Sequence, residues 1–513
     1  MDTAEELQHS ASLLSLVQGL SGLPEDLQGI TDVIVSGVKM DSRLVGEGDL
    51  FLACFGQNHD ARNYIDAVVA QGAAAVLAES GAGWSGVRII GKVPVIAVDN
   101  LSKKLSSIAN RFYGLPSTKL SVFGITGTNG KTSCSQFIAQ ALTKSGFRCG
   151  VIGTLGYGVQ GELKETELTT PDAVFTQMAL AEMVADKVDP VVMEVSSVGL
   201  HQKRVAAVCF DTAIFTNITR DHLDYHESME EYARNKKKLF TMEGLRHAIV
   251  NLDDPFALSI INEIASEVEI STYSLTNSIA TVHASDLRLT RSGYQATIHT
   301  PLGNGKVGGK LIGSFNFSNL LAVAAALVSY LPARQDLSIA ALCDLLSSLS
   351  PVNGRMEIVG EACDITAVVD YAHTPDGLRS ALVALREHFD SRIWCVFGCG
   401  GNRDKGKRPL MGEIAEANAD RLIVSDDNPR REKGDAIVQH ILSGVRNPSA
   451  VMVIRDRAAA IEYAIANAGP GDVVLIAGKG HETYQDIDGD KQLFSDTRQV
   501  RLALKNREEN SRG

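Results

Sequence analysis

The chain has 513 residues, of which 44% are hydrophobic and 21% are charged; this composition is typical of globular proteins, and the length predicts more than one hydrophobic core. Its 49 Lys and Arg against 61 Asp and Glu give a net charge of −12, which argues against general nucleic-acid binding. The eight cysteines are scattered singly, so neither a zinc site nor a disulfide framework is predicted.

The N-terminal region, residues 1–117, is predicted to form a small α/β domain. Short strand-like runs occupy residues 33–35, 49–53 and 93–98, with one or two helices among them. The apolar run Leu13–Val17 is too short for a signal peptide core or a membrane span, and no basic segment precedes it. We therefore expect a cytoplasmic protein without a membrane segment. Tyr113–Ser117 has the composition of a linker.

The central region, residues 118–350, contains continuous apolar runs separated by helix-length segments. These runs lie at 120–125, 191–195, 213–216 and 247–250. Continuous apolar strands that alternate with helices predict a parallel sheet covered on both faces.

The C-terminal region, residues 351–513, begins at a second predicted boundary, Ser350–Gly354, and repeats the same alternation. Its strand-like runs lie at 367–370, 393–398, 422–425, 451–454 and 473–477. This pattern predicts an open, doubly wound α/β domain, in which ligands bind at the carboxyl ends of the strands.

The strongest motif is the segment Gly124–Thr132. A predicted strand runs into a glycine-rich turn and a helix follows from Ser133, which is the arrangement of a phosphate-binding loop. Lys131 is expected to contact the β- and γ-phosphates of a nucleotide and Thr132 to ligate Mg²⁺. The spacing departs from the usual loop, because five residues separate Gly124 from Gly130-Lys131 instead of four.

Further polar residues follow the next strands of the central region. Glu194 ends the run 191–195 at the edge where it can hold Mg²⁺, and Asp221 or His222 can complete the metal shell after the run 213–216. On spacing alone, His222 is equally explained as a solvated loop histidine and Lys236–Lys238 as a solvated helix face.

Four polar clusters follow strands of the C-terminal region, and they are expected to converge on one edge of the sheet. They mix cations, carboxylates and amides, which suits a zwitterionic or polyanionic ligand. The clusters are Asp370–Asp376, Gly398–Arg408, Asp426–Arg430 and Gly478–Thr483.

Taken together, these motifs resemble the Mur ligase family over nearly the whole chain. In that family an N-terminal domain binds the UDP end of UDP-N-acetylmuramoyl-L-alanyl-D-glutamate, a central domain binds ATP, and a C-terminal Rossmann-like domain brings in the amino acid. The resemblance implies domains at 1–117, 118–350 and 351–513.

The resemblance also implies contacts to two of the substrates. The implied ATP contacts are Gly127, Thr128, Asn129, Gly130, Lys131, Thr132, Asn316, Asn319, Arg355, Asp370 and His373. The implied contacts to the UDP-muramoyl-peptide are Ser42, Thr169, Thr170, Ser196, Gln202 and Arg204.

The family carries a carbamylated lysine, which the resemblance assigns to Lys236 by alignment on Tyr232 and Leu239-Phe240. A carbamate turns the cation into an oxygen ligand, so that a lysine can help to hold Mg²⁺. The implied metal ligands are Thr132, Glu194, His222 and carbamylated Lys236, and the implied catalytic residues are Lys131, Glu194, His222 and Lys236. Two positions depart from the family pattern, since Asn235 replaces alanine and Val198 replaces histidine.

The amino-acid substrate is inferred from the segment Asp427–Arg430, which resembles the signature of members that use meso-diaminopimelate. Arg430 is suited to the distal carboxylate of that substrate, which lysine lacks, and Glu482 to the distal ammonium. The implied contacts to it are Arg403, Asp427, Asn428, Pro429, Arg430, Gly478 and Glu482.

The function implied is an ATP-dependent ligase of cytoplasmic peptidoglycan precursor synthesis, and hence of cell-wall formation, shape and division. The γ-phosphate would activate the D-glutamyl γ-carboxylate as an acyl phosphate, and the amine of diaminopimelate would then displace phosphate. We expect ATP and Mg²⁺ as cofactors, and a monomer without nucleic-acid or membrane partners. The alternatives are the L-lysine-adding ligase of the same family and a folylpolyglutamate synthase.

Overall fold

The computed structural model describes residues 9–24, 30, 32–56, 59–221, 225–360 and 364–512. Within these residues, three large sheets follow one another along the chain, and each is covered by its own helices. The predicted α/β class is therefore confirmed, and the sheets are mixed rather than purely parallel.

The N-terminal sheet has the order β3-β4-β5-β7-β6, and its strands are parallel except for β6. Successive residues of β4 point to opposite faces, as a strand requires. Leu50 and Leu52 pack with α1 and α3, whereas Phe51 and Ala53 pack with α2. The elements are β1 (Ala11–Ser12), α1 (Leu13–Val17), β2 (Ile34–Val35), β3 (Gly37–Lys39), β4 (Asp49–Ala53), α2 (Ile65–Ala70), β5 (Ala75–Glu79), β6 (Val87–Ile90), β7 (Val93–Val98) and α3 (Leu105–Phe112).

The central sheet has the order β10-β9-β11-β8-β12-β13-β14-β15-β16-β17. Helices α4 and α9 cover one face, and α5 and α8 cover the other. The elements are β8 (Val122–Thr126), α4 (Lys131–Lys144), β9 (Gly150–Gly153), β10 (Gly156–Val159), α5 (Ala173–Ala185), β11 (Val191–Glu194), α6 (Ser197–His201), β12 (Thr212–Phe215), α7 (Met229–Lys237), β13 (His247–Asn251), α8 (Ala257–Ile261), β14 (Glu269–Ser274), β15 (Val282–Thr290), β16 (Gly293–Thr300), β17 (Gly303–Gly309), α9 (Ser314–Tyr330) and α10 (Ile339–Ser347).

The C-terminal sheet has the order β18-β19-β23-β20-β21-β22, with β18 antiparallel to its neighbour. Helices α11, α12 and α13 pack on one face, and α14 and α15 pack on the other. The elements are β18 (Glu357–Val359), β19 (Thr366–Asp370), α11 (Pro375–His388), β20 (Ile393–Phe397), α12 (Lys407–Asn418), β21 (Arg421–Val424), α13 (Gly434–Leu442), β22 (Met452–Val453), α14 (Arg457–Asn467), β23 (Val473–Ala477), β24 (Tyr484–Ile487), β25 (Asp490–Leu493) and α15 (Asp496–Arg512).

The parallel order β9-β11-β8-β12-β13-β14 has one consequence for the site. The carboxyl ends of these strands lie at one edge of the central sheet, and the loops that follow β8, β11 and β12 meet there. No helix in the described part of the chain has the length and apolar character needed to cross a membrane.

Candidate active site

The loop between β8 and α4 is held in shape by glycines and by its own lysine. Gly130 has φ +87°, a left-handed conformation that favours glycine, and a Cβ there would lie 2.5 Å from Asn319 Oδ1. Lys131 is the first residue of α4, and its Nζ donates to Gly127 O and Thr128 O at 2.9 Å each. Burial lowers the pKa of Lys131. The loop thus places an ammonium at the N-terminus of a helix, where anions bind favourably.

Glu194 is fully buried at the end of β11 and is the centre of a hydrogen-bond network. Thr132 Oγ1 donates to its Oε2 at 2.9 Å, and Thr154 donates through its N–H at 2.9 Å and its Oγ1 at 3.1 Å. Arg355 Nη2 donates to Thr132 Oγ1 at 3.1 Å. The network therefore joins the phosphate loop to a residue that follows the central domain.

Lys236 is buried on α7, and the contacts that the structure gives its ammonium are to uncharged groups. Its Nζ donates to Gly127 O at 2.7 Å and lies 4.5 Å from the ring centroid of Tyr232. Burial, reinforced by the charge of Lys131, holds the pKa of Lys236 well below its ordinary value. A lowered pKa increases the share of the uncharged amine, which is the form that reacts with carbon dioxide.

The described residues contain no cluster of three His, Cys, Asp or Glu side chains that could hold a metal ion. Thr132 and Glu194 nevertheless offer the oxygen donors that Mg²⁺ prefers, and a carbamate on Lys236 would add more. His222, the remaining predicted ligand, lies outside the described residues. Its neighbour Asp221 lines the cleft, and its charge acts to raise the pKa of both Lys131 and Lys236.

The turn predicted to touch the muramoyl-peptide lies directly beside Glu194. Thr169 Oγ1 is 3.0 Å from Thr154 Oγ1, and Thr170 Oγ1 donates to the carbonyl of Glu194 at 3.0 Å. Ser196 caps α6, and its N–H donates to Thr170 Oγ1 at 2.9 Å.

Two further side chains hold this turn or lie near it. Arg204 Nη1 donates to Thr170 O at 2.6 Å, and its Nη2 donates to Gln202 Oε1. Burial lowers the pKa of Arg204. Gln202 donates in turn to the Tyr225 hydroxyl at 3.1 Å.

Asn316 and Asn319 occupy the first turns of α9, close to the phosphate loop. Asn319 Nδ2 donates to Asn316 Oδ1 at 3.4 Å, and Asn316 Nδ2 donates to Ile312 O at 2.8 Å. Both side chains are buried.

Asp370 and His373 belong to the C-terminal domain and lie near Arg355, the residue that bonds to Thr132 of the phosphate loop. Burial raises the pKa of Asp370, which accepts a bond from Met356 N–H at 2.7 Å. Burial lowers the pKa of His373 to about 4, so its imidazole is neutral at pH 7. Its Nδ1 lies 2.8 Å from Tyr371 O.

The four polar clusters of the C-terminal domain converge on a cleft of about 1290 Å³ that also reaches Thr169 of the central domain. The predicted diaminopimelate contacts that line it are Arg403, Asp427, Asn428, Arg430, Gly478 and Glu482. Pro429 instead packs closely against Gly401, where a Cβ would lie 1.8 Å from Pro429 O.

Arg430 has a left-handed backbone, with φ +51°, and its guanidinium is half-buried. Nη1 donates to Gly401 O at 2.8 Å, and Nε lies 3.8 Å from Asp486 Oδ2. A guanidinium carries five N–H donors in a planar fork, so it can bind a carboxylate while it keeps the bond to Gly401.

Glu482 is held by two partners in the same cluster. Lys479 Nζ donates to its Oε2 at 2.7 Å and Asn428 Nδ2 donates at 2.9 Å, so an incoming ammonium would share this carboxylate with Lys479. Gly478 has φ +119°, and a Cβ there would lie 2.5 Å from Asp427 Oδ2.

Ser42 lies in a one-turn 3₁₀ helix, Ser42–Leu44, of the N-terminal domain. Its neighbour Arg43 is exposed and bonded to Asp41, which raises the pKa of the guanidinium. The charge of Glu167, a residue of the cleft-lining loop, acts on Arg43 in the same direction. Arg43 of the N-terminal domain therefore lies near the cleft-lining loop that carries Glu167.

The structure adds Thr154, which binds Glu194 and lies outside the predicted motifs. It also gives contacts for two residues that the predicted clusters contain without an assigned role. Lys479 binds Glu482, and Arg408 is a fully buried cation that bonds to Glu432 at 3.0 Å and to Gly400 O at 3.2 Å. The available signals were a lysine between two glycines after a strand for Lys479, and a basic run after a glycine turn for Arg408.

The side chains at this site are of the types needed for phosphoryl transfer followed by amide formation. A cationic phosphate loop lies beside a buried carboxylate, and a cleft with cations and carboxylates in fixed positions opens between the domains. Such a site can bind a nucleotide and a zwitterionic ligand next to each other.

Comparison with known families matches three segments of the chain. The Mur ligase family catalytic domain matches residues 34–113, the Mur ligase middle domain matches 125–327, and the Mur ligase glutamate ligase domain matches 354–480.

Similar curated proteins and solved structures carry consistent names. The UDP-N-acetylmuramoyl-L-alanyl-D-glutamate–2,6-diaminopimelate ligase of Coxiella burnetii is 46% identical over 92% of this chain and 96% of its own length, and that of Pseudomonas aeruginosa is 47% identical over 93% and 96%. A solved ligase of the same name is 33% identical, with a TM-score of 0.68 over 97% of this chain and 99% of its own. A Mycobacterium tuberculosis folylpolyglutamate synthase is 18% identical, with a TM-score of 0.60 over 73% and 92%, and shares the fold alone.

Proposed function

Because the chain belongs to the Mur ligase family, we propose that it is the ATP-dependent ligase that joins meso-2,6-diaminopimelate to UDP-N-acetylmuramoyl-L-alanyl-D-glutamate. The bond formed is an amide between the D-glutamyl γ-carboxylate and an amine of diaminopimelate. The reaction belongs to peptidoglycan precursor synthesis.

The observation that carries this proposal is the agreement between the relatives and the cleft. Proteins at 46–47% identity over nearly the whole chain are named for diaminopimelate. Arg430, the cation suited to the distal carboxylate, lines the same cleft as Glu482, the carboxylate suited to the distal ammonium. L-lysine lacks the distal carboxylate, so the alternative L-lysine-adding activity would leave Arg430 without its partner.

In the first step, the γ-phosphate of ATP would pass to the D-glutamyl γ-carboxylate and form an acyl phosphate. Lys131 would neutralise charge on the transferring group, since phosphoryl transfer depends on positioning and electrostatic stabilisation. Arg355 would bring a second cation to the loop through its bond to Thr132.

The residues at the phosphate loop fit a magnesium ion. Thr132, Glu194 and a carbamate on Lys236 would hold it, together with the predicted His222. When bound, the ion would supply positive charge to the phosphate oxygens. The role of Lys236 is supported by the burial of its amine beside the phosphate loop and by the lowering of its pKa by that burial.

In the second step, an uncharged amine of diaminopimelate would attack the acyl phosphate and release phosphate. His373 is neutral at pH 7 and could accept a proton, but a pKa of about 4 makes it a weak base. Since the phosphate loop and the amino-acid cleft lie on different domains, closure of the C-terminal domain is expected before chemistry.

Several finer assignments belong to the same proposal. The domain boundaries 1–117, 118–350 and 351–513, a UDP site at Ser42, a cytoplasmic location and a monomeric state remain predictions.

The experiment is phosphate release from ATP and Mg²⁺ with UDP-N-acetylmuramoyl-L-alanyl-D-glutamate, comparing meso-diaminopimelate with L-lysine. We expect release with diaminopimelate only. Arg430→Lys should lower kcat/KM for diaminopimelate by roughly 10- to 100-fold, the loss of a hydrogen-bonded charge pair of about 1.5–3 kcal/mol. Arg431→Lys, at the exposed neighbouring position, is the matched control and should leave it unchanged.

Two results would change the proposal. Equal release with L-lysine would keep the ligase and reject the role of Arg430. Absence of release with either amino acid would reject the ligase itself.

A further inference from the structure

Helix α9 receives its N-terminal cap from another domain. Its own cap residue, Gly313, offers no side chain to the free N–H groups of the first turn. Glu387, on α11 of the C-terminal domain, accepts from Ser314 N–H at 3.3 Å and from Ser314 Oγ at 3.1 Å. A carboxylate at this position is also favoured by the helix dipole.

His388, the last residue of α11, makes the buried half of this contact. Gly313 N–H donates to His388 Nε2 at 2.8 Å, and His388 Nδ1 lies 2.6 Å from Thr290 O at the end of β15. Because Nε2 accepts and a carbonyl can only accept, Nδ1 carries the proton. The imidazole is 6% exposed and therefore joins two central-domain segments to the C-terminal domain inside the protein.

The backbone at Gly313 is fitted closely to this contact. Its φ of +95° favours glycine, and a Cβ would lie 2.9 Å from Ala384 Cβ of α11. Ile312 and Phe315 on either side pack in the hydrophobic core of the C-terminal domain. The N-terminus of α9 is thus seated in the other domain.

Helix α9 connects this contact to the nucleotide loop. Asn316 and Asn319 lie within its first two turns, and Asn319 Oδ1 lies against Gly130 and accepts from Cys134 Sγ at 3.5 Å. A shift of the N-terminus of α9 therefore moves the amides that border the loop.

Helix α11 connects the same contact to the cleft. It has 14 residues, which corresponds to about 21 Å, and its cap Thr374 directly follows His373 and lines the cleft. One end of α11 is therefore fixed to α9, and the other end carries cleft residues.

We propose that Glu387 and His388 are positioning residues that couple the orientation of the C-terminal domain to the nucleotide site through α9. The inference rests on the proposed function, because it takes the phosphate loop to be the ATP site. Glu387 and His388 do not line the cleft, so they would act only through Asn316, Asn319 and the loop.

The test is calorimetric binding of a non-hydrolysable ATP analogue with Mg²⁺ to the full chain. His388→Ala should raise its Kd by roughly fivefold to thirtyfold, as expected if one or two kcal/mol of contact energy is transmitted. His388→Gln supplies one acceptor and one donor at a similar reach and should restore most of the affinity.

Arg386→Ala is the matched control on the same helix, since Arg386 bonds to Ser391 O and Asp420 within the C-terminal domain. Arg386→Ala should leave the Kd unchanged. If His388 had a purely structural role, His388→Ala would also leave the Kd unchanged. A folded His388→Ala protein with wild-type Kd would overturn the inference. If that variant does not fold, Glu387→Ala, which removes the exposed contact, decides in the same way. Absence of analogue binding by the wild-type chain would instead refute the proposed function.

Discussion

Replacement of Asp496 by Asn tests how a buried ion pair supports the amino-acid cleft. Arg457 Nε and Nη2 donate to the two oxygens of Asp496 at 2.7 Å each, and both side chains are fully buried. Arg457 Nη2 also donates to Ala477 O at 2.9 Å, directly before Gly478. Asparagine keeps the shape of the aspartate side chain but places an amide N–H₂ against the guanidinium. The buried Arg457 cation therefore loses its counter-charge.

The expected cost is about 3–5 kcal/mol, the range for breaking one side of a buried salt bridge. With a slope of about 2 kcal/mol/M for a domain of this size, the urea midpoint should fall by roughly 1.5–2.5 M. The KM for diaminopimelate should rise as well, because the carbonyl that precedes Gly478 loses its anchor.

Tryptophan fluorescence reports this transition. The chain has two tryptophans, Trp84 in the N-terminal domain and the buried Trp394 on β20, whose Nε1 donates to Asp472 at 3.0 Å. In a Trp84→Phe background the signal comes from the C-terminal domain alone.

Asp364→Asn provides the control. Arg507 Nε and Nη2 bind Asp364 at 2.8 and 2.7 Å, but Asp364 is 47% exposed, so the loss should be at most about 1 kcal/mol. Equal midpoints for the two variants would refute the argument that burial sets the cost.

Three other outcomes follow from the site. Lys236→Ala should lower phosphate release by about 100-fold and be partly rescued by short carboxylic acids, whereas Lys237→Ala should stay near wild type. The Arg408 guanidinium lowers the pKa of Glu432 from 4.5 to about 2, so this pair contributes its full stabilisation above about pH 4.5 and loses it as the pH falls through 2. Glu432→Gln should therefore reduce the pH dependence of the free energy of unfolding over that window. Gly130→Ala should raise the KM for ATP far more than Gly146→Ala does. Both glycines have φ near +90°, but of the two only Gly130 would bring a Cβ against a neighbour, the Asn319 amide on α9.

The buried parallel strands were predictable from sequence because their apolar runs are continuous. The run 473–477 coincides with β23, and the run at 191–195 ends one residue after β11. The antiparallel strands β15 to β17 were not predicted, since β15 alternates between half-buried and exposed positions and β17 is rich in glycine. The helix expected from Ser133 begins two residues earlier, at Lys131, directly after the left-handed Gly130.

The convergence of the four C-terminal clusters was predicted from the rule that ligands bind at strand ends, and the structure brings them to one cleft. Their roles in binding stay predictions. Partners that depend on tertiary contacts could not be derived. Thr154 reaches Glu194 across 40 positions of sequence, and His388 reaches Gly313 across 75.

The left-handed backbone of Arg430 restricts how this enzyme's amino-acid preference can change. Two bonds to the hairpin β24–β25 hold that backbone, from Arg430 N–H to Asp486 O and from Asp488 N–H to Arg430 O, both at 2.9 Å. A β-branched residue is strongly disfavoured at such a φ, whereas Asn, Asp and Gly tolerate it. Evolutionary routes to a different substrate through this position therefore favour Asn, Asp or Gly over Val, Ile or Thr, whatever the new substrate would prefer. Because the hairpin holds this backbone through those two bonds, a change in the hairpin would alter the restriction without any change at position 430.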